Sequence, residues 1–526
     1  MAVGFVLAVV ALNLGLTFEN LWPTPWVRPT PSLSFELAAV LLGLALWIER
    51  GGRPGRGLHR VLAGLLLLGV VGRYAEVTAP ALYGRPVNLY WDARHLPKVA
   101  AMLAEVAPPA LLAGAVIAAM AALALLWAAG RLAAAVTLAG LARPGLRRLA
   151  VVAALAVLLL APLARLGLIP EGRVAAPVAG VYGRQAAFLF SAWLQATGAR
   201  ALPSPRPIVS DLGRVAGSDV YVIFLESYGA TVYDRPGYAA ALAPAYARLE
   251  DVLARTGRVA VSAFATSPTF GGSSWLAHAS LLSGVEVAEE GDYELLLTSH
   301  QETLVSRFRQ AGYRTVALLP GLHKAWPEGA FYGFDRVYDA PSLDYRGPAF
   351  GWWGMPDQWS LACLHDREVR PARRSPLFVV FATMTSHFPF LPVPPYAPDW
   401  LRLCGPAPYA GAEGLAARLV EKVDWGAMGP VYVRTIAYNL DWLAGYLDGI
   451  APDNAVLVVL GDHQPAARIS GPGARWEVPV HVFGPRGALL DALEAAGFTP
   501  GLHPRAMPIG SLPAVRDLLL EGFNAG

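Results

Sequence analysis

Charge is what this 526-residue chain has least of. Only 15% of its residues are Asp, Glu, Lys or Arg, against about 25% in a typical soluble domain. The net charge is +3 and no basic tract stands out, which excludes a nucleic-acid-binding chain. With 55% hydrophobic residues it is not an intrinsically disordered one either. Cysteine is scarcer still. Cys363 and Cys404 are the whole supply, too few for a disulfide scaffold or a Cys-rich metal cluster. The charge deficit is uneven. Residues 1–170 hold 20 of the 81 charged residues in long charge-free runs, and residues 171–526 hold 61 without such runs.

Hydrophobic stretches of about 18 or more residues read as membrane-spanning helices. Five are expected, over residues 1–18, about 32–48, 61–72 with a less apolar continuation past Arg73, 106–130, and 149–164. The first lacks a basic n-region and a small-residue cleavage site, so it reads as an uncleaved anchor. Arg50, Arg53, Arg56 and Arg60 follow the second helix, and Arg131, Arg143, Arg147 and Arg148 follow the fourth. Such loops stay cytoplasmic. The N-terminus is then inside, and everything after about residue 170 is outside. Trp22 and Trp26 fall on the outer loop, where aromatic belts sit. The segment 83–98 is external too, and aromatic enough for the membrane surface. Arg73 and Glu76, three apart on a helix, are either a functional pair at membrane depth, a tie between helices, or a pair already in the headgroup layer. The expected organisation is a transmembrane domain over 1–170, a linker and juxtamembrane segment over 171–217, and an extracytoplasmic domain over 218–526.

In that last domain, buried-strand runs alternate with helical segments. Val220–Leu225, Thr315–Leu319, Leu377–Ala382, Ala455–Leu460 and Val478–Phe483 read as strands, and 237–256, 302–311 and 431–449 as helices. This alternation predicts an α/β domain with a mainly parallel sheet, whose ligands bind beyond the carboxyl ends of the strands. The ionisable residues collect there: Glu226 after the first strand, His323 after the second, His387 after the third, Asp462 and His463 after the fourth. Two carboxylates and an imidazole suit one divalent ion, Zn²⁺, Mn²⁺ or Mg²⁺. Gly271-Gly272 makes a turn, and Ser273 or Ser274 opens a helix. A hydroxyl there faces the positive end of the helix dipole, which suits an anionic substrate. Ser273 is also placed to act as an N-cap.

The order strand-Glu226, Gly271-Gly272-Ser273-Ser274, Ser386-His387-Phe388-Pro389-Phe390 and Gly461-Asp462-His463 resembles the sulfatase-like branch of the alkaline phosphatase superfamily. With five helices ahead of an external domain, the chain resembles the membrane-anchored lipoteichoic acid synthases and phosphoethanolamine transferases. The resemblance implies metal ligation by Glu226, Asp462, His463 and the serine nucleophile. Ser274, ten residues before Gly284, matches the sulfatase spacing, and Ser273 the synthase motif. Sulfatases that oxidise their nucleophile need Pro two and Arg four residues later, where this chain has Leu276 and His278, so an unmodified serine is expected. The resemblance places His387 near the leaving group or acceptor and makes His323, Trp326 and Asp357 headgroup contacts. His278, one helical turn beyond Ser274, is a substrate contact or supports the site from behind. His278 and His481 are not accompanied by a second carboxylate pair, so a second metal site is not evident. Whether Cys363 and Cys404 are bridged stays open.

The implied activity is transfer of phosphoglycerol or phosphoethanolamine from a phospholipid to an extracytoplasmic glycan or lipid through a covalent phosphoserine. The alternative is a membrane-tethered phosphodiesterase or sulfatase. The implied setting is a bacterial inner membrane with the C-terminal domain outside and no nucleic-acid partner.

Overall fold

The computed structural model describes the chain except residues 22–23, 84–86, 88–91, 94–95, 98–99, 101–107, 166–172, 176, 197–201, 325, 351–353 and 415–427. It divides into two compact units, Met1–Ala199 and Arg200–Gly526.

In the first unit, Arg56–Leu82, Pro109–Leu141 and Pro144–Leu163 are long and apolar enough to cross a membrane. The helices Ala2–Thr17 and Phe35–Glu49 have 16 and 15 residues, short of the ~20 that a bilayer core requires. Among the described residues, three helices rather than the expected five are therefore long and apolar enough to span. The third expected helix does run on past Arg73, to Tyr83. Arg131, expected in a loop, lies inside Pro109–Leu141. The stretch read as a linker carries the helix Pro177–Ala196. Arg73 and Glu76 do not pair with each other. Arg73 donates to the Phe18 carbonyl at 3.0 Å, while Glu76 pairs with Arg184 of that unexpected helix. Of these readings, this is the tie between helices. Trp26 is exposed. Trp22 and much of 83–98 lie outside the described residues.

The second unit is built on eight strands: β1 Val220–Leu225, β2 Arg258–Thr266, β3 Arg314–Leu319, β4 Arg336–Asp339, β5 Leu377–Ala382, β6 Val456–Gly461, β7 Glu477–Pro485 and β8 Thr499–Pro500. Their order across the sheet is β8-β2-β7-β6-β1-β5-β3-β4. The run β6-β1-β5-β3-β4 is parallel, whereas β7, β2 and β8 join by antiparallel pairings. The sheet is thus mixed, which corrects the expectation of a mainly parallel one. Between β6 and β7 the chain forms only the four-residue helix Ala467–Ser470. A parallel return usually runs through a helix long enough to cross the sheet; here there is none, and β7 comes back beside β6 in the opposite sense.

β1 is buried along its whole length, and its side chains alternate between two cores, as a strand's period of two requires. Tyr221, Ile223 and Leu225 pack with the helices Pro236–Arg255 and Gly429–Gly449. Val220, Val222 and Phe224 pack on the other face, with the helices Ser274–Ser283 and Leu512–Phe523. With helices on both faces, the sheet leaves its strand ends as the place where polar residues can gather.

Candidate active site

Two strand ends and one helix start meet at a single cluster. Glu226 follows β1, Asp462 and His463 follow β6, and all three are buried. One possible ligand atom from each lies within 4.8 Å of the others. Ser274 opens the helix Ser274–Ser283. Its Oγ donates to Glu226 Oε2 at 3.0 Å and lies 3.1 Å from His463 Nε2.

The backbone holds each group. Ser227 sits in the left-handed region, φ 58°, so the chain turns sharply after Glu226. Its N–H donates to Asp462 Oδ1 at 2.8 Å and its Oγ donates to Glu226 Oε1 at 2.9 Å. The ends of β1 and β6 lie so close that a Cβ on Gly461 would fall 1.8 Å from the Tyr228 carbonyl oxygen; only glycine fits there. The turn after β5 supports Glu226 from the other side. Glu226 N–H donates to Thr383 Oγ1 at 3.0 Å, and Ser386 Oγ donates to the Glu226 carbonyl at 2.6 Å. His463 Nδ1 lies 2.7 Å from the Gln464 carbonyl. A carbonyl only accepts, so Nδ1 carries the proton and Nε2 presents its lone pair to the cluster.

Electrostatics fit a cation. Burial penalises the charge of Glu226, yet His463, His387 and the Ser227 hydroxyl together hold its carboxyl below the ordinary range. Burial, with the Glu226 charge beside it, pushes Asp462 up to about 6. Burial lowers His463, but Asp462 and Glu226 outweigh it and raise it. Two buried carboxylates this close repel one another, and a divalent ion among them would relieve both the repulsion and the cost of burial. The donor set of two carboxylates, one imidazole and one hydroxyl suits Zn²⁺, Mn²⁺ or Mg²⁺.

The cluster forms part of a cavity of about 430 Å³. Ser273, His278, Trp326 and His387 line it as well. Ser273 is left-handed, φ 62°, and makes no side-chain capping bond. This corrects its expected role as an N-cap, because the φ of an N-cap is normally extended. His278 Nε2 is buried without a hydrogen-bond partner, 3.9 Å from Asp462 Oδ2, and burial pushes the imidazole down to about 4. Trp326 stacks on Tyr332, ring centroids 5.7 Å apart.

Two expected contacts fall elsewhere. His323 is exposed and lines a separate shallow cavity with Asp344, Tyr345 and Met355. Asp357 is fully buried, and its carboxylate accepts the N–H groups of Met384 at 2.7 Å and Thr385 at 2.8 Å. Its place is underneath the turn after β5, not on the cavity wall. His481, weighed for a second metal site, is held by Ser262 Oγ at 2.6 Å and Tyr228 Oη at 3.0 Å. Ser227 and Thr383 went unnoticed in the sequence. The available signal was position, since each comes directly or one residue after a buried strand.

Cys363 and Cys404 are bridged, which settles the question left open by their spacing.

Solved structures that overlap this chain include lipoteichoic acid synthase LtaP from Listeria monocytogenes, at 13% identity over 60% of this chain and 74% of that one, TM-score 0.38. The C-terminal periplasmic domain of EcEptC from Escherichia coli, in complex with Zn, overlaps at 16% identity over 54% and 78%, TM-score 0.35. Phosphoglycerol transferase GacH from Streptococcus pyogenes, in complex with sn-glycerol-1-phosphate, overlaps at 12% identity over 62% and 85%, TM-score 0.39. No curated protein sequence matches the chain. The Sulfatase family model matches residues 218–483. That match spans half of the chain and takes in Glu226, Ser274, Asp462 and His463: the chain belongs to the Sulfatase family.

Proposed function

We propose that the chain is a membrane-anchored, metal-dependent transferase that moves a phospho-headgroup, phosphoglycerol or phosphoethanolamine, from a phospholipid to an extracytoplasmic glycan or lipid. The observation that carries this reading is the Ser274 hydroxyl, held at 3.0 Å from Glu226 and 3.1 Å from His463. A nucleophile beside a potential base and metal ligands is the arrangement covalent catalysis requires. The absence of Pro at 276 and Arg at 278 favours an unmodified serine.

A divalent cation held by Glu226, Asp462, His463 and Ser274 would lower the pKa of the hydroxyl and screen the charge of the ester. Ser274 Oγ attacks phosphorus, the bond from phosphorus to the diacylglycerol oxygen breaks, and a phosphoserine diester forms. The serine proton ends on the departing diacylglycerol oxygen, passed by His387 from the cavity wall. An acceptor hydroxyl then attacks phosphorus, the bond from phosphorus to Ser274 Oγ breaks, and the acceptor's proton ends on Ser274 Oγ. The N-terminal unit serves as the anchor, and the catalytic domain, residues 218–526, lies outside the bacterial cytoplasmic membrane. A lipid donor supplies the reason for keeping the catalytic domain at a membrane.

Intact-protein mass spectrometry after incubation with phospholipid tests this. A headgroup adduct should form and vanish in Ser274→Ala. An adduct that persists in Ser274→Ala and disappears in Ser273→Ala overturns the choice of nucleophile. Rapid release of free headgroup with no acceptor present makes the protein a tethered phosphodiesterase instead.

A further inference from the structure

The wall of the active-site cavity is far less polar than its catalytic end. Beyond the Glu226, Ser274 and His463 cluster it is formed largely by apolar and aromatic side chains, among them Leu319, Leu322, Trp326, Tyr332, Phe334 and Val380. Among the described lining residues there is no Lys, Arg or Asp, and Glu226 is the sole carboxylate. These residues come from different parts of the unit. Leu319 ends β3, Val380 lies within β5, and Trp326, Tyr332 and Phe334 belong to the segment between β3 and β4.

At about 430 Å³ the cavity has the size of sites that take in a ligand of many heavy atoms, several times the bulk of a phosphate with one small alcohol. Water in such a cavity is displaced favourably by apolar surface. A second charge of either sign would lose its hydration and meet no Lys, Arg or Asp on the described wall.

We infer that the cavity takes an amphiphilic monoanionic ester: a phosphodiester or sulfate at the Ser274 end, and an uncharged apolar group, aryl or aliphatic, against the Leu322 and Trp326 wall. The inference rests on the ester-transfer reading of the same site and adds a rule of selection by charge and bulk. It disfavours phosphomonoesters, which are dianions, and zwitterionic esters, and so selects phosphoglycerol over phosphoethanolamine of the two proposed headgroups.

Binding decides the matter without chemistry. The full-length Ser274→Ala chain, loaded with Mn²⁺ in nanodiscs, is titrated by calorimetry with dimethyl, diphenyl and dihexyl phosphate, with phenyl phosphate as dianion and methyl phosphocholine as zwitterion. Diphenyl or dihexyl phosphate should bind at least tenfold more tightly than dimethyl phosphate. Phenyl phosphate and methyl phosphocholine should bind more weakly than the tighter of that pair. A stronger diphenyl arm assigns an aryl group, and a stronger dihexyl arm an aliphatic chain. Leu322→Glu in the same background should erase the preference. Equal binding of all three neutral-substituent diesters, or tightest binding of methyl phosphocholine, overturns the inference. If wild-type protein transfers from no ester while the ranking holds, the transferase reading fails and the charge rule stands.

Discussion

Ser274 Oγ and His463 Nε2 lie 3.1 Å apart although 189 residues separate them in the chain. The contact joins the start of the helix Ser274–Ser283 to the end of β6, and it singles out one of two adjacent serines. Ser273 is in the left-handed region without a capping bond, a conformation that costs a non-glycine residue about 1 kcal/mol. Ser273→Gly should therefore raise stability by about 0.5–1 kcal/mol and leave transfer within a few-fold of wild type. Ser274→Ala should lower kcat by roughly 10³ or more. Thermal melts and headgroup-transfer rates check both. Loss of transfer in Ser273→Gly would reassign the nucleophile.

Asp462 makes metal loading sensitive to pH. Its carboxyl is pushed up to about 6 by burial and by Glu226, so a cation entering the site must displace a proton as the medium becomes acid. Apparent Mn²⁺ or Zn²⁺ affinity should fall as the pH is lowered, first as His463, raised by Asp462 and Glu226, takes up a proton, and more steeply below about pH 6 as Asp462 does too, because ligation requires the deprotonated forms. Glu226→Gln and Asp462→Asn should each abolish stoichiometric loading after dialysis, read by elemental analysis. Affinity that is unchanged between pH 7 and 5 would remove Asp462 from the ligand set.

Asp357 positions a turn. It accepts two backbone N–H groups, from Met384 and Thr385, and the flanking Thr383 and Ser386 hold Glu226. Asp357→Asn can accept with only one oxygen and leaves a buried donor short, at a cost of about 1–3 kcal/mol. The variant should lose metal affinity and kcat together, with KM for the donor little changed. A rise in KM alone would return Asp357 to the role of a substrate contact.

His481 is an acid-labile point in the core. Burial, and then the charge of His503, push its imidazole down to about 3, below the ordinary value near 6.5. The folded chain keeps it neutral, whereas the unfolded chain protonates it below about pH 6.5. Its stabilising contribution is complete above that pH and drains away as the pH falls toward 3. Between pH 7 and 4.5 wild type should lose about 2–3 kcal/mol more stability than His481→Gln. Urea unfolding at the two pH values measures this, and parallel losses in both proteins would exclude the histidine as the cause.

The strand-end residues were legible because a buried strand dictates where its next residue emerges. Glu226, Asp462 and His463 come within two residues of β1 or β6, and those strands are neighbours in the sheet. Ser274 was legible through the two glycines ahead of it. Longer connections hid the rest. His323 lies four residues beyond β3, where a turn can aim a side chain either way, and it faces a different cavity. Asp357 opens a helix and looks in sequence like any exposed helix-start acid; its partners lie 27 and 28 residues on. The sheet's antiparallel side was hidden because a buried strand's residues are apolar whichever way its neighbour runs. Helix Pro177–Ala196 was lost in the polar average of the segment around it.

The bridge between Cys363 and Cys404 spans 41 residues, and β5, Thr383, Ser386 and His387 all lie within that ring. The part of the chain that supports Glu226 is thus a closed covalent loop, pinned at both ends whatever happens to the backbone in between. A protease that cuts once inside the ring produces two fragments that migrate as one until a reductant is added. The turn that supports Glu226 is therefore insured against a single scission, because the bridge keeps both pieces of the ring on one molecule.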